Sequence, residues 1–129
     1  MARTYILAGL PTGWLSEAFS RGWNGVKYVE LTEGLFRSII NDPERETIIA
    51  VRHQPTVELI RKALAYPERS REQLIVNFND LRDGDIIIIV APRNVQERGK
   101  DLAVTWQDLS IIKVEFIRLL PTDEVPIFP

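Results

Sequence analysis

The sequence predicts an α/β fold: a single domain with a mixed central sheet and helices packed on its faces. Three observations predict it. Short β-branched runs alternate with segments whose apolar residues recur at helical spacing, the pattern of strand–helix–strand units. The run Ile86-Ile87-Ile88-Ile89-Val90-Ala91 is continuously apolar, as in a strand buried on both faces. The chain has 129 residues, 45% hydrophobic and 26% charged, enough for one domain with a real core and too apolar for disorder. Residues 1–120 are assigned to this domain, and the Pro-rich stretch 121–129 to a tail.

Tyr5 to Leu10 reads as a first, central strand stopped by Pro11 and Gly13. Trp14 to Ser20 fits a short helix. Val26 to Leu31 is rich in β-formers and alternates, so it reads as a strand. After Thr32, residues Leu35, Phe36, Ile39 and Ile40 share one helical face, and Asn41-Asp42-Pro43 stops that helix. Thr47 to Arg52 is a strand that delivers His53. Pro55 suits a first helical turn, where its missing N–H is not needed. Val57, Leu59, Ile60, Ala63 and Leu64 give the helix an apolar face, and Pro67 ends it.

Glu68 to Glu72 reads as a charged loop, and Gln73 to Phe78 as a further strand. Arg82-Asp83-Gly84-Asp85 is a turn into the isoleucine run. The segment from Arg93 to Lys100 is polar. Thr105 with Asp108 three residues on resembles a helix start. Ile111 to Leu119 closes as an alternating strand. The tail, 121–129, holds too many prolines for a central strand, and its Ile127 and Phe128 suit packing on the domain or on a partner. Tyr5, Tyr28, Phe36, Trp14, Trp23 and Trp106 are read as core or interface residues.

Composition excludes several functions. A net charge of −2 disfavours non-specific duplex binding, which needs a broad basic surface, but allows a local anion pocket. Without cysteine there is no disulfide, thiolate zinc site or cysteine nucleophile. With one histidine a catalytic zinc site needs unusual ligands; an all-oxygen magnesium site is allowed, but no tight carboxylate cluster demands it, and no cofactor is expected. The fingerprints GxGxxG, GxxxxGK[ST] and GxSxG are missing. No membrane span and no secretory leader are expected, which points to a cytoplasmic protein.

The chemistry centres on His53, the only histidine. It stands where a buried strand turns into a helix, a preferred ligand position in α/β proteins, with helix amides and dipole favouring an anion. Two polar segments follow strongly apolar strands: His53-Gln54-Pro55-Thr56 and Arg93 to Lys100. Together they offer what metal-free cleavage of an RNA phosphodiester needs. An arginine stabilises the non-bridging oxygens, an imidazolium protonates the departing 5′-oxygen, and a carboxylate such as Glu97 either accepts the 2′-hydroxyl proton or holds the imidazole protonated.

The chain resembles the small viral ring nucleases that act as anti-CRISPR proteins against type III systems, together with their cellular relatives. Tyr5 to Leu10 is similar to that family's first strand, and Ala50 to Ile60 to its strand, histidine and helix start. Asp83 to Ile89 followed by Arg93 to Lys100 is similar to its buried strand and Arg…Glu-Gly loop. The resemblance implies a C2 homodimer that binds cyclic tetra-adenylate across its interface. It implies metal-independent cleavage to linear di-adenylate with a 2′,3′-cyclic phosphate, which switches off type III CRISPR signalling in the host cell. In that scheme His53 is the general acid, Arg93 stabilises the phosphate and Glu97 is the carboxylate. Gly9, Leu10, Pro11, Gln54, Thr56 and Arg71 bind substrate. Three departures stand out: Arg52 replaces a glycine, Ala8 an asparagine, and Arg98 separates Glu97 from Gly99. They keep open an alternative, a protein that sequesters or senses the cyclic nucleotide without cleaving it. A structural or interaction protein is the third reading, carried by the apolar tail alone.

Overall fold

The β-branched run after Gly84 is buried on both sides because the chain crosses both faces of the sheet it enters. In the computed structural model, which describes residues 1–93 and 104–118, this run is β5 (Ile86–Pro92). The other strands are β1 (Ala2–Leu7), β2 (Gly25–Glu30), β3 (Arg45–Ala50), β4 (Ser70–Glu72) and β6 (Leu109–Ile117). They form one six-stranded sheet in the order β2-β6-β5-β1-β3-β4. Strand β1 pairs parallel with both β3 and β5, and β4 extends the parallel set beside β3. Strand β6 runs antiparallel to β5 and to β2. The sheet is therefore mixed, with helices α1 (Trp14–Ser20), α2 (Glu33–Ile40) and α3 (Gln54–Ala63) packed on it.

Side chains alternate across each strand and so build two cores. Ile6, Ile49, Ile88 and Val90 face Phe36 and Ile40 of α2 and Val57 and Ile60 of α3. Tyr5, Leu7, Ile48 and Ile87 face Trp14 and Ala18 of α1, with Val76 and Phe78. Thr32 starts α2 by accepting a 3.2 Å hydrogen bond from the Leu35 amide. Asn41 then ties α2 to the end of α3. Its amide donates to the Ala63 carbonyl at 3.0 Å, and its oxygen accepts from the Ala65 N–H at 2.7 Å. The turn before β5 needs Gly84 at a φ of 87°, where a side chain is strained.

Several expectations are corrected. Gln73 to Phe78 is not a strand; the sixth strand is β4, inside the stretch expected to be a charged loop. An edge strand needs only one paired side and tolerates charge, so Ser70, Arg71 and Glu72 suit it. The apolar residues after it do different work. Val76 and Phe78 fill the second core while Leu74 and Ile75 stay exposed. Strand β1 starts at Ala2 and ends before Ala8, and β6 starts at Leu109. The helix start at Thr105 is a single 3-10 turn, Trp106–Asp108. Leu35, expected on the apolar face of its helix, is exposed. Assignments made for Glu97, Arg98, Gly99, Lys100 and the tail lie outside the described residues. No helix among the described residues is long and apolar enough to cross a membrane.

Phe36 is fully buried, and its ring meets Trp106 edge-on at 5.6 Å. Phe36→Ala is expected to lower stability by about 3–5 kcal/mol, read as a drop in the urea midpoint at unchanged slope. A loss below about 1 kcal/mol contradicts the central place given to this packing.

Candidate functional site

The chain leaves β1 toward one face of the sheet and leaves β3 toward the other. Helix α1 follows β1 onto the Tyr5 and Ile48 face, and α3 follows β3 onto the Ile6 and Ile49 face. Where adjacent parallel strands diverge in this way, a crevice opens outside their carboxyl ends. A hollow of 280 Å³ lies at that point. It is lined by Leu7 and Ala8 at the end of β1, Ala50 and Val51 at the end of β3, and Val90 and Pro92 of β5. Gly9 and Pro11 form one wall. Arg52, His53 and Thr56 form another, and Leu74 and Val76 a third.

His53 occupies the N-cap of α3 in extended conformation, with φ −69° and ψ 106°. Its side chain makes no cap hydrogen bond; its carbonyl accepts the first intrahelical bond from Val57 at 3.1 Å. The ring instead turns to the hydroxyl three residues on: Nδ1 lies 2.8 Å from Thr56 Oγ1. Thr56 is 1% exposed, so packing holds that hydroxyl in place. A hydroxyl both donates and accepts. It therefore satisfies Nδ1 whether or not that nitrogen carries a proton. Nδ1 is thereby engaged in positioning the ring.

The expected site residues divide. His53, Thr56, Gly9 and Pro11 line the hollow. Leu10 packs against the second core. Gln54 is exposed and donates to the Arg52 carbonyl at 3.4 Å. Arg71 is paired instead with Glu46 at 3.2 Å, a carboxylate that Arg3 also approaches at 3.6 Å. Arg93 follows β5 at the correct edge of the sheet, and its N–H donates to the Asp108 carbonyl at 2.8 Å. Its guanidinium, however, lies 3.6 Å from Glu30 at the end of β2 and is absent from the hollow's lining. Glu97 lies outside the described residues. Ala8 lines the hollow, as the resemblance implies for that position, but brings no polar group.

Sequence reasoning passed over Arg52 as a departure from a pattern, and Leu74 as part of a strand; both line the hollow. Only the position of Arg52 beside His53 signalled it. Among the described residues no group of three or more His, Cys, Asp or Glu side chains could hold a metal ion. The turn that holds the Arg93 backbone has its own charge. Backbone and side-chain hydrogen bonds from Thr105 hold the Asp108 carboxyl below the usual carboxylate range. The sequence matches no model of a known protein family and no curated protein.

Two outcomes check this geometry. Because His53 is the only histidine, its ring nitrogens give unambiguous ¹⁵N signals. Thr56→Val should shift the ring signals and Thr56→Ser should not. The Asp108 carboxyl, with its folded pKa lowered, contributes stability above the ordinary carboxylate pKa and loses it as pH falls through the lowered value. A carboxyl ¹³C titration should move toward the ordinary range in Thr105→Val.

Proposed function

We propose that this protein is a ring nuclease that opens cyclic tetra-adenylate without a metal ion. The observation that carries the proposal is His53: an imidazole fixed through Nδ1 by a buried hydroxyl, at a helix N-terminus, on the wall of a hollow at the carboxyl edge of parallel strands. The helix N-terminus suits a phosphate, and an imidazole beside it can protonate the departing oxygen. The sequence likeness to viral ring nucleases and their cellular relatives supplies the substrate.

The proposed reaction is a transesterification. The 2′-oxygen of one adenosine attacks the neighbouring phosphorus in line and loses its proton to a base, Glu97 in the scheme the likeness implies. The bond from phosphorus to the 5′-oxygen breaks. His53 delivers a proton from Nε2 to that oxygen, and a 2′,3′-cyclic phosphate remains. Two such cuts turn the ring into two linear di-adenylates.

Size and surface support a homodimer. At 280 Å³ the hollow is just smaller than ordinary small-molecule sites, about 300–1,000 Å³. A ring of four nucleotides overhangs it. Leu74, 59% exposed on the wall of the hollow, and Ile75, 69% exposed beside it, give a second copy apolar surface to cover. A two-fold dimer then offers one His53 to each of two scissile phosphates of a symmetric ring.

A second reading is a binding protein that sequesters the ring intact. The position of Arg93, beside Glu30 and outside the lining of the hollow, favours it, because the cation expected to stabilise the phosphorane does not line the His53 site.

Incubation of the purified protein with cyclic tetra-adenylate in excess chelator should yield linear di-adenylate ending in a cyclic phosphate. His53→Ala should slow product formation by roughly 10²-fold or more and leave affinity for the ring within a few-fold. Tight binding with no product at stoichiometric protein selects the second reading. No binding and no product overturns both.

A further inference from the structure

The distribution of charge around the hollow assigns a role to Arg52. Among the described residues that line it, Arg52 is the only one with a permanent charge, and none is a carboxylate. The two larger hollows are the opposite. Both lie at the amino edge of the parallel strands, with volumes of 610 and 420 Å³. The first has Arg21 and Arg82 against Asp83, Asp85 and Glu115. The second has Arg3 and Arg82 against Asp80, Asp83 and Asp85. On a chain of net charge −2, the His53 hollow is thus the one of these three where an anion meets no opposing carboxylate.

The two other arginines expected at the site lie beside carboxylates and outside the lining of the hollow, Arg93 by Glu30 and Arg71 by Glu46. Arg52 is exposed and forms no ion pair among the described residues. Its backbone is fixed, since it lies between Val51, 3% exposed in the first core, and the N-cap of α3. The planar fork of a guanidinium suits two oxygens of one phosphate.

We propose that Arg52 is the cation that binds the substrate phosphate in this hollow, in the place expected for Arg93. It lies next to the acid in sequence, so one strand end delivers both the proton donor and the charge that draws electron density onto the non-bridging oxygens. The class of ligand is a phosphodiester or phosphomonoester anion. The proposal rests on the phosphodiester reading of the His53 site, yet its test can fail separately.

Cyclic tetra-adenylate is titrated calorimetrically into full-length His53→Ala protein, which does not consume it, at low and high salt. Adding Arg52→Gln should weaken binding roughly 10- to 100-fold and flatten the salt dependence. Arg52→Lys should recover part of the loss, and Arg93→Gln should cost less than Arg52→Gln. Affinity unchanged by Arg52→Gln but reduced by Arg93→Gln overturns the assignment and leaves the ring nuclease reading intact. If the parent does not bind the ring, inorganic phosphate is titrated while the His53 ring ¹⁵N signals of the wild type are followed. A response lost in Arg52→Gln supports the anion site without the ring nuclease reading. No response, or an equal one in both proteins, overturns it. Arg52 is exposed, so matched thermal melts should confirm that Arg52→Gln is folded.

Discussion

The parallel pairing of β1 with β3 on one side and β5 on the other governs this molecule. Parallel neighbours cannot be joined by a tight turn; each connection must cross a face of the sheet. The segment after β1 crosses on the Tyr5 face and the one after β3 on the Ile6 face. Their divergence leaves the carboxyl edge uncovered at one point. The same crossings bury Ile6, Ile49 and Ile88 on one side and Tyr5, Ile48 and Ile87 on the other, each at 5% exposure or less. The burial that holds the fold together and the opening that can receive a ligand therefore have one origin.

Chemistry enters through the short link between β3 and α3. Strand β3 ends at Ala50, Val51 is still in the core, and His53 already caps the helix. Pro55 in the first turn removes one amide that the cap could not satisfy. Thr56 then brings a buried hydroxyl back to the imidazole. In an ordinary capping box the cap side chain serves the backbone amide of the third helical residue. Here the two side chains serve each other, and the ring gains a fixed orientation in place of a capping role. Arg52, one residue earlier, adds the positive charge.

Charge elsewhere is arranged to stay local. Arg45 donates to Thr4 Oγ1 at 2.9 Å and to the Arg3 and Gly84 carbonyls at 2.8 Å, closing the amino edge of the sheet. Asp85 accepts from the Arg3 and Arg82 amides at 3.0 and 2.8 Å. These groups secure the turn into β5 and keep carboxylates at the edge away from His53. The Glu30 pair with Arg93 is exposed on both sides, and contacts of that kind contribute about 0–1 kcal/mol, so a phosphate can compete for the guanidinium.

By itself the sequence determined the α/β class, five of the six strands, the three helices and the position of His53 at the turn from β3 into α3. Those features follow from local pattern: alternation, helical spacing, Pro55 and Gly84. Three things depended on the tertiary structure. The edge strand fell on Ser70 to Glu72 rather than on the more apolar Gln73 to Phe78, because pairing beside β3 needs backbone register and not hydrophobicity. Arg71 and Arg93 turned to Glu46 and Glu30, because strand order sets which carboxylate is in reach: β3 lies beside β4, and β2 lies one strand beyond β5 across β6. Arg52 reached the wall of the hollow because the chain bends between Val51 and α3. Local pattern says which residues form a strand or helix; which side chains share a hollow depends on the order in which those elements are laid side by side.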